Sequence, residues 1–217
     1  MTFDVFGDFE ERGYLRNVVG TKDLAEVKLL EYSAFLSEVG KAVAALSRRN
    51  PLTYVDILTT HATLFGSVYP WAGKDRWETA PQANISRGGY DRMFAFPKDI
   101  RRAADYALRQ GNDRAFMRAK PREVLGSLAH AHPFLDGNGR TIMTVHTVLV
   151  HRAGLSVAWH ETDKAAFLTA LTKEVHLPGD GYLDAYLAPF LREPRPLERE
   201  VEGLRALTTL GSATAAG

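Results

Sequence analysis

Residues 132–143 read HPFLDGNGRTIM. A histidine, a phenylalanine, an aspartate, two glycines around an asparagine, and an arginine fall between His132 and Arg140. A packed core does not ask for that mixture. The stretch before it, KPREVLGSLAHA, places Val124, Leu125 and Leu128 on one helical face. That helix has to end near Pro133, because proline lacks the N–H and clashes with the preceding turn. The stretch after it, RTIMTVHTVLVHRAG, is helical in spacing and very apolar, so it predicts a central, buried helix. Leu135-Asp136-Gly137-Asn138-Gly139 is then a tight loop feeding a helix N-terminus, and the centre of the fold is a helix–loop–helix.

Outward from this centre the rest of the chain reads mainly as helix. TKDLAEVKLLEYSAFLSEVGKAVAAL has apolar residues at Leu24, Val27, Leu30, Phe35, Val39, Val43 and Leu46, with Thr21 as N-cap. PLTYVDILTTHATLF starts at Pro51, and FPKDIRRAADYALRQG is closed by Gly111. DKAAFLTALTKEV and YLDAYLAPFL complete the set. One stretch, NISRGGYDRMF, reads as strand, and its Gly88-Gly89 pair suits a hairpin turn. The expected fold class is mainly α, a helical bundle with one β-hairpin before the 132–143 loop.

Composition narrows the function. The 217 residues are 45% hydrophobic and 24% charged, enough for one sizeable core. A net charge of +1 gives no basic field for nucleic acid. There is no cysteine, so disulfides and cysteine-ligated metals are excluded. The start, MTFDVFGDFEER, has no basic-then-apolar signal, and no apolar run approaches the roughly 20 residues of a membrane helix. The expected location is cytoplasmic, or delivery from the cytoplasm as an effector, with no membrane partner.

The loop itself has the chemistry of a phosphate site. Helix N-termini present unpaired N–H groups and a positive dipole end. Glycines allow close backbone approach, and Arg140 adds a planar fork matched to phosphate oxygens. Asp136 is a hard carboxylate beside that anion site, and one or two carboxylates plus substrate phosphates are the usual holders of Mg²⁺. His132 can take a proton from an attacking hydroxyl. Phe134 is expected to point into the core and fix the loop. Taken alone, a Gly-Asn-Gly turn with a histidine nearby is also an ordinary helix connection. DGNG is not a calcium loop, since the further acidic positions and closing glutamate are missing. His130, His132, His146 and His151 match no zinc spacing, and His146 and His151 are expected on a helix face as ordinary polar residues. No P-loop motif is present.

HPFLDGNGR resembles the Fic signature HxFx[DE]GNGR at every defined position. LFGSVYPWAGKDR (64–76) is similar to the segment before that family's active-site flap, ISRGG (85–89) to the flap, and GYLRNVVGTKD (13–23) to its N-terminal turn. The likeness runs over about residues 10–192, within an expected Fic domain of 1–192 followed by a C-terminal helix and flexible tail over 193–217. The resemblance implies the Fic fold and an AMP transferase (AMPylation) that uses ATP and Mg²⁺ to modify a hydroxyl side chain of a target protein. It implies His132 as base and Asp136 as Mg²⁺ ligand. Gly137, Asn138 and Gly139 would form the α-phosphate cradle, and Arg140 would grip the β/γ-phosphates. The hairpin Ile85–Phe94, with Ile85, Ser86, Arg87, Gly88 and Gly89, would dock the target by strand addition.

The family's longer signature ends GRxxR, and here that last position is Met143. In the family this second arginine binds the terminal phosphate and pairs with an inhibitory glutamate on an [S/T]xxxE[G/N] helix, in the same chain or in an antitoxin. Methionine can do neither. The nearest inhibitory-helix candidate, EREVEG (198–203), has Glu198 in place of Ser or Thr and reads as an ordinary charged surface. A separate antitoxin-like partner stays open. Losing one charge-assisted contact costs about 1.5–3 kcal/mol, roughly ten- to a hundred-fold in ATP affinity. Lys74, Arg76 or Arg87 are the cations expected to compensate. The alternatives are a donor with another phosphate-linked group, such as UMP or phosphocholine, and a non-catalytic module that docks a partner through the hairpin.

Overall fold

The computed structural model describes residues 4–83, 85 and 93–209, with side chains as far as residue 206. The chain is mainly helical. In order come α1 (Phe9–Arg12), α2 (Leu24–Ser47), α3 (Tyr54–Phe65), α4 (Arg76–Thr79), α5 (Ile100–Asn112), α6 (Arg114–Ala119), α7 (Pro121–Ala131) and α8 (Asn138–Arg152). Then follow β1 (Ser156–Val157), α9 (Lys164–His176), α10 (Tyr182–Leu187), β2 (Leu191–Arg192) and α11 (Leu197–Thr209). Short 3₁₀ turns precede α5, follow β1 and follow α10.

α8 is the central helix, as its apolar sequence requires: every residue from Thr141 to Val150 is buried. α2, α3, α5, α6, α7 and α11 all pack against it. α2 turns Val27, Phe35, Val39, Val43 and Leu46 inward. Within that stripe lies one carboxylate, Glu31, which is 1% exposed. α11 closes the bundle against α2 and α8, burying Val201 and Leu204.

Several local expectations shift. The N-cap of α2 is Asp23, whose carboxylate accepts from Ala25 N–H at 2.8 Å, while Thr21 Oγ1 instead accepts from Asp23 N–H at 3.2 Å. α3 starts at Tyr54, not Pro51, because Thr53 and Asp56 form a capping box. Gly111 does not close α5. It lies inside the helix where α8 passes so closely that a Cβ would come within 2.7 Å of Leu149 Cδ1. His146 is not a surface residue; it is fully buried on α8 and its Nε2 bonds Pro121 O at 2.7 Å.

Among the described residues the strands are β1 and β2, paired antiparallel with Ser156 opposite Arg192 and Val157 opposite Leu191. Two residues per strand leave no alternation to read, so the sequence did not reveal them. The expected hairpin lies almost wholly outside the described residues: Ser86, Arg87, Gly88 and Gly89 are not described, and Ile85 packs beside a small cluster of Met93, Phe94, Ala129 and Val175. No described helix is long and apolar enough to cross a membrane.

Candidate active site

The site is the turn between α7 and α8, and its shape follows from a few residues. α7 ends at His132, whose left-handed backbone (φ 41°, ψ 60°) turns the chain out of the helix. Asn138 then closes the loop on itself. Its Oδ1 accepts from Phe134 N–H at 2.8 Å, and its Nδ2 donates to Phe134 O at 2.7 Å. Gly137, with φ 76°, caps α8. A Cβ there would meet Phe65 Cε2 at 2.6 Å, so both backbone angle and space demand glycine. Gly139 faces open space, with nothing within 4 Å of an added Cβ.

Beneath the loop is an aromatic floor. Phe134 is fully buried and stacks on His61, with ring centroids 3.8 Å apart. His61 Nδ1 accepts from Gly73 N–H at 2.9 Å, so Nε2 carries the proton and donates to Asp136 O at 3.0 Å. Burial pushes His61 down to about 4, which keeps it neutral and this hydrogen bond directional. Arg76 holds the other end of the loop: its backbone N–H donates to Pro133 O at 2.7 Å and its Nε to His132 O at 2.8 Å. Its Nη2 donates to Ala95 O at 2.7 Å. Arg76 is fully buried and therefore supplies no charge to a ligand, contrary to the compensating role expected for it.

The polar face of the loop is one charged network. The His132 ring stacks on Phe94, with centroids 3.7 Å apart. Asp136 Oδ1 accepts from Gly137 N–H at 2.6 Å, and Oδ2 receives Lys28 Nζ at 2.6 Å. Burial alone would raise the Asp136 carboxyl; Lys28, the Gly137 N–H and Arg140 outweigh it and hold it below the usual range. Arg140 Nη2 donates to Glu31 Oε2 at 2.9 Å and stands 3.8 Å from Asp136 Oδ1. Its guanidinium lies 4.6 Å from the centroid of the Phe65 ring. Glu31 also takes Lys28 at 3.1 Å and the Tyr69 hydroxyl.

The structure thus brings His132, Asp136, Gly137, Asn138, Gly139 and Arg140 to one loop. It adds four residues that sequence reasoning missed: Lys28, Glu31, His61 and Tyr69. Two signals pointed to them. Glu31 interrupts the apolar stripe of α2 four residues after Val27 and four before Phe35, and His61 does the same between Ile57 and Phe65 on α3. Met143 is 7% exposed and belongs to the apolar core.

For a metal, the donor set is one carboxylate. That suffices for Mg²⁺ only when phosphates and water complete the shell. The Lys28 ammonium on Asp136 Oδ2 shows that this oxygen already favours a cation, so the residues fit. No cluster of three or more His, Cys, Asp or Glu groups suited to a metal occurs among the described residues.

Residues 51–150 match the Fic/DOC family model. The chain is 28% identical over 157 residues to protein adenylyltransferase VbhT of Bartonella schoenbuchensis, covering 71% of this chain and 32% of that protein. It is 27% identical over 191 residues to the probable protein adenylyltransferase y4lH of Sinorhizobium fredii, covering 83% of this chain and 89% of that one. The chain therefore spans about a third of the length of VbhT and most of y4lH. In fold it resembles the Bartonella tribocorum effector BepC with bound AMPPNP (TM-score 0.67, 21% identity, 86% of this chain and 96% of that one). It also resembles a Bartonella quintana effector Fic domain with bound ADP (TM-score 0.68, 22% identity, 88% and 96%). Residues 51–150, which hold the His132–Arg140 loop, thus resemble the Fic/DOC family.

Proposed function

We propose that the protein transfers AMP from ATP to a hydroxyl side chain of a target protein. The observation that carries this reading is the complete His132–Arg140 loop, held rigid at the N-terminus of a buried helix. Two relatives named as adenylyltransferases and nucleotide-bound neighbours of the same fold support it.

The reaction follows from what these groups can do. The target hydroxyl gives its proton to the His132 imidazole as its oxygen bonds to the α-phosphorus. The α–β phosphoanhydride bond breaks, and pyrophosphate leaves with the electron pair. The first-turn N–H groups of α8, at Asn138, Gly139 and Arg140, have no intrahelical acceptor and are aimed at the charge that grows on the α-phosphate oxygens. The Gly137 N–H is committed to Asp136, so in this reading Gly137 shapes the cradle and does not donate to it. The Asn138 side chain likewise sets the loop and leaves its backbone N–H to the phosphate. Arg140, fixed between Glu31 and Phe65, presents its remaining N–H groups to the outer phosphates. When bound, Mg²⁺ would be held by Asp136 and would neutralise phosphate charge. Catalysis of this kind is positioning plus charge stabilisation, which suits a loop tied down at Phe134, Asp136 and His132. The target segment is assigned to Ile85–Gly89 by the resemblance, and the protein acts in the cytoplasm, its own or a recipient cell's.

Met143 favours a second reading, a donor without a γ-phosphate. Incubating the protein with a cell lysate and ATP, UTP or CDP-choline, then measuring the mass added to the modified protein, separates the two. Added AMP is expected. Added UMP or phosphocholine would establish the second reading, and no addition would contradict both.

A further inference from the structure

Arg140 is held by Glu31, the Arg76 guanidinium is buried on two carbonyl oxygens, and Met143 packs in the core. Of these, only the N–H groups of Arg140 that Glu31 does not hold are left for the phosphate chain, and the charge of that arginine is already balanced by Glu31. The described charges of the network, Asp136 and Glu31 against Lys28 and Arg140, sum to zero. A polyphosphate entering this site needs a cation that can be released to it.

Lys28 meets that need. It projects from α2, not from the signature loop, and its side chain is 50% exposed. Its ammonium sits 2.6 Å from Asp136 Oδ2 and 3.1 Å from Glu31 Oε2, at the open side of the loop. Its four-carbon stem is flexible, and an ammonium is a compact point charge without the fixed geometry that ties Arg140 in place. Phosphate oxygens that share a cation with Asp136 Oδ2 would lie within about 5 Å of that oxygen, inside the reach of the same side chain.

We propose that Lys28 is a further donor-binding residue. Its ammonium rests on Asp136 in the nucleotide-free protein and moves to the phosphate oxygens beyond the α-phosphorus when the donor binds, supplying the charge that Met143 does not. This leaves Asp136 Oδ2 open to the metal. The inference rests on the reading of the loop as a nucleotide site.

The test is calorimetric titration of the full chain with ATP, ADP and AMP in Mg²⁺, comparing wild type with Lys28→Gln and Lys28→Arg. Glutamine can still donate to Asp136 and Glu31, so the fold should hold, and a thermal melt verifies it. Lys28→Gln should lose about ten-fold in ATP and ADP affinity, with AMP changed less than about two-fold, and Lys28→Arg should retain most of the ATP affinity. Unchanged ATP affinity in Lys28→Gln overturns the proposal. So does tighter ATP binding, which would make Lys28 only a competitor for Asp136. A wild-type chain that binds no nucleotide would instead refute the underlying nucleotide-site reading.

Discussion

Glu31→Gln removes one charge from the centre of the network and keeps its shape. Glu31 is 1% exposed and neutralises Arg140 at 2.9 Å and Lys28 at 3.1 Å, while accepting from the Tyr69 hydroxyl. The Arg140 bond is charge-assisted and sheltered, and turning it into a bond to a neutral acceptor costs about 1.5–3 kcal/mol. The Lys28 contact is half-solvated and adds under about 1 kcal/mol. The amide N–H₂ must also face either a cation or the tyrosine hydroxyl. The sum is about 2–4 kcal/mol, and at about 2–4 °C per kcal/mol for a chain of this size the melting temperature should fall by about 5–15 °C. Arg140 would lose its anchor, so ATP affinity should fall as well. Thermal melts with and without saturating ATP measure both effects. A fall of less than about 2 °C, with nucleotide binding intact, would show that Arg140 does not depend on Glu31 and would refute the account of how the arginine is held.

Asp136→Ala should abolish the strengthening of ATP binding by Mg²⁺ while keeping part of the metal-free affinity through the helix N-terminus; calorimetry with and without Mg²⁺ tests this, and equal Mg²⁺ dependence in both proteins would remove Asp136 as the metal ligand. Gly137→Ala combines a left-handed backbone with a 2.6 Å approach to Phe65 Cε2, so it should destabilise by about 2–4 kcal/mol in denaturant unfolding and weaken nucleotide binding further. Burial pushes His146 down from 6.5 to about 4. Because the unfolded chain takes that proton first, its contribution is intact above pH 6.5 and is lost as pH falls from 6.5 towards about 4, a loss of about 3 kcal/mol. Denaturant unfolding across that range should show a smaller loss in His146→Leu than in wild type, and equal slopes would rule His146 out as the cause.

The helical architecture was legible because α2, α7 and α8 carry their burial in simple spacing, and because Pro133 punctuates the chain where α7 stops; α8 starts at Asn138, inside the stretch that reads as loop. The loop was legible because its residue types are so poorly suited to a core. The support of the loop was not. Lys28 and Glu31 lie 108 and 109 positions from Asp136 and Arg140, respectively, and only tertiary packing of α2 against α8 joins them. His61 reaches the loop across 75 positions in the same way. Arg76 read as a free cation because its partners are carbonyl oxygens, which leave no trace in a side-chain pattern. Gly111 read as a helix stop because a glycine required for close helix packing and one required at a C-cap are the same letter. In each case the deciding fact was a long-range contact.

The central claim is that His132 drives transfer of the α-phosphate of ATP, with its nucleoside, to a protein hydroxyl. The direct test is to incubate a cell lysate with wild-type protein or His132→Ala and with ATP labelled either on the α- or on the γ-phosphate. Nucleotidyl transfer keeps the α-phosphate on the product and expels the γ-phosphate in pyrophosphate. The account predicts a protein band labelled from the α-position only, reduced about 10²–10⁴-fold in His132→Ala while that variant still folds. Label from the γ-position, or equal α-labelling by both proteins, would contradict it.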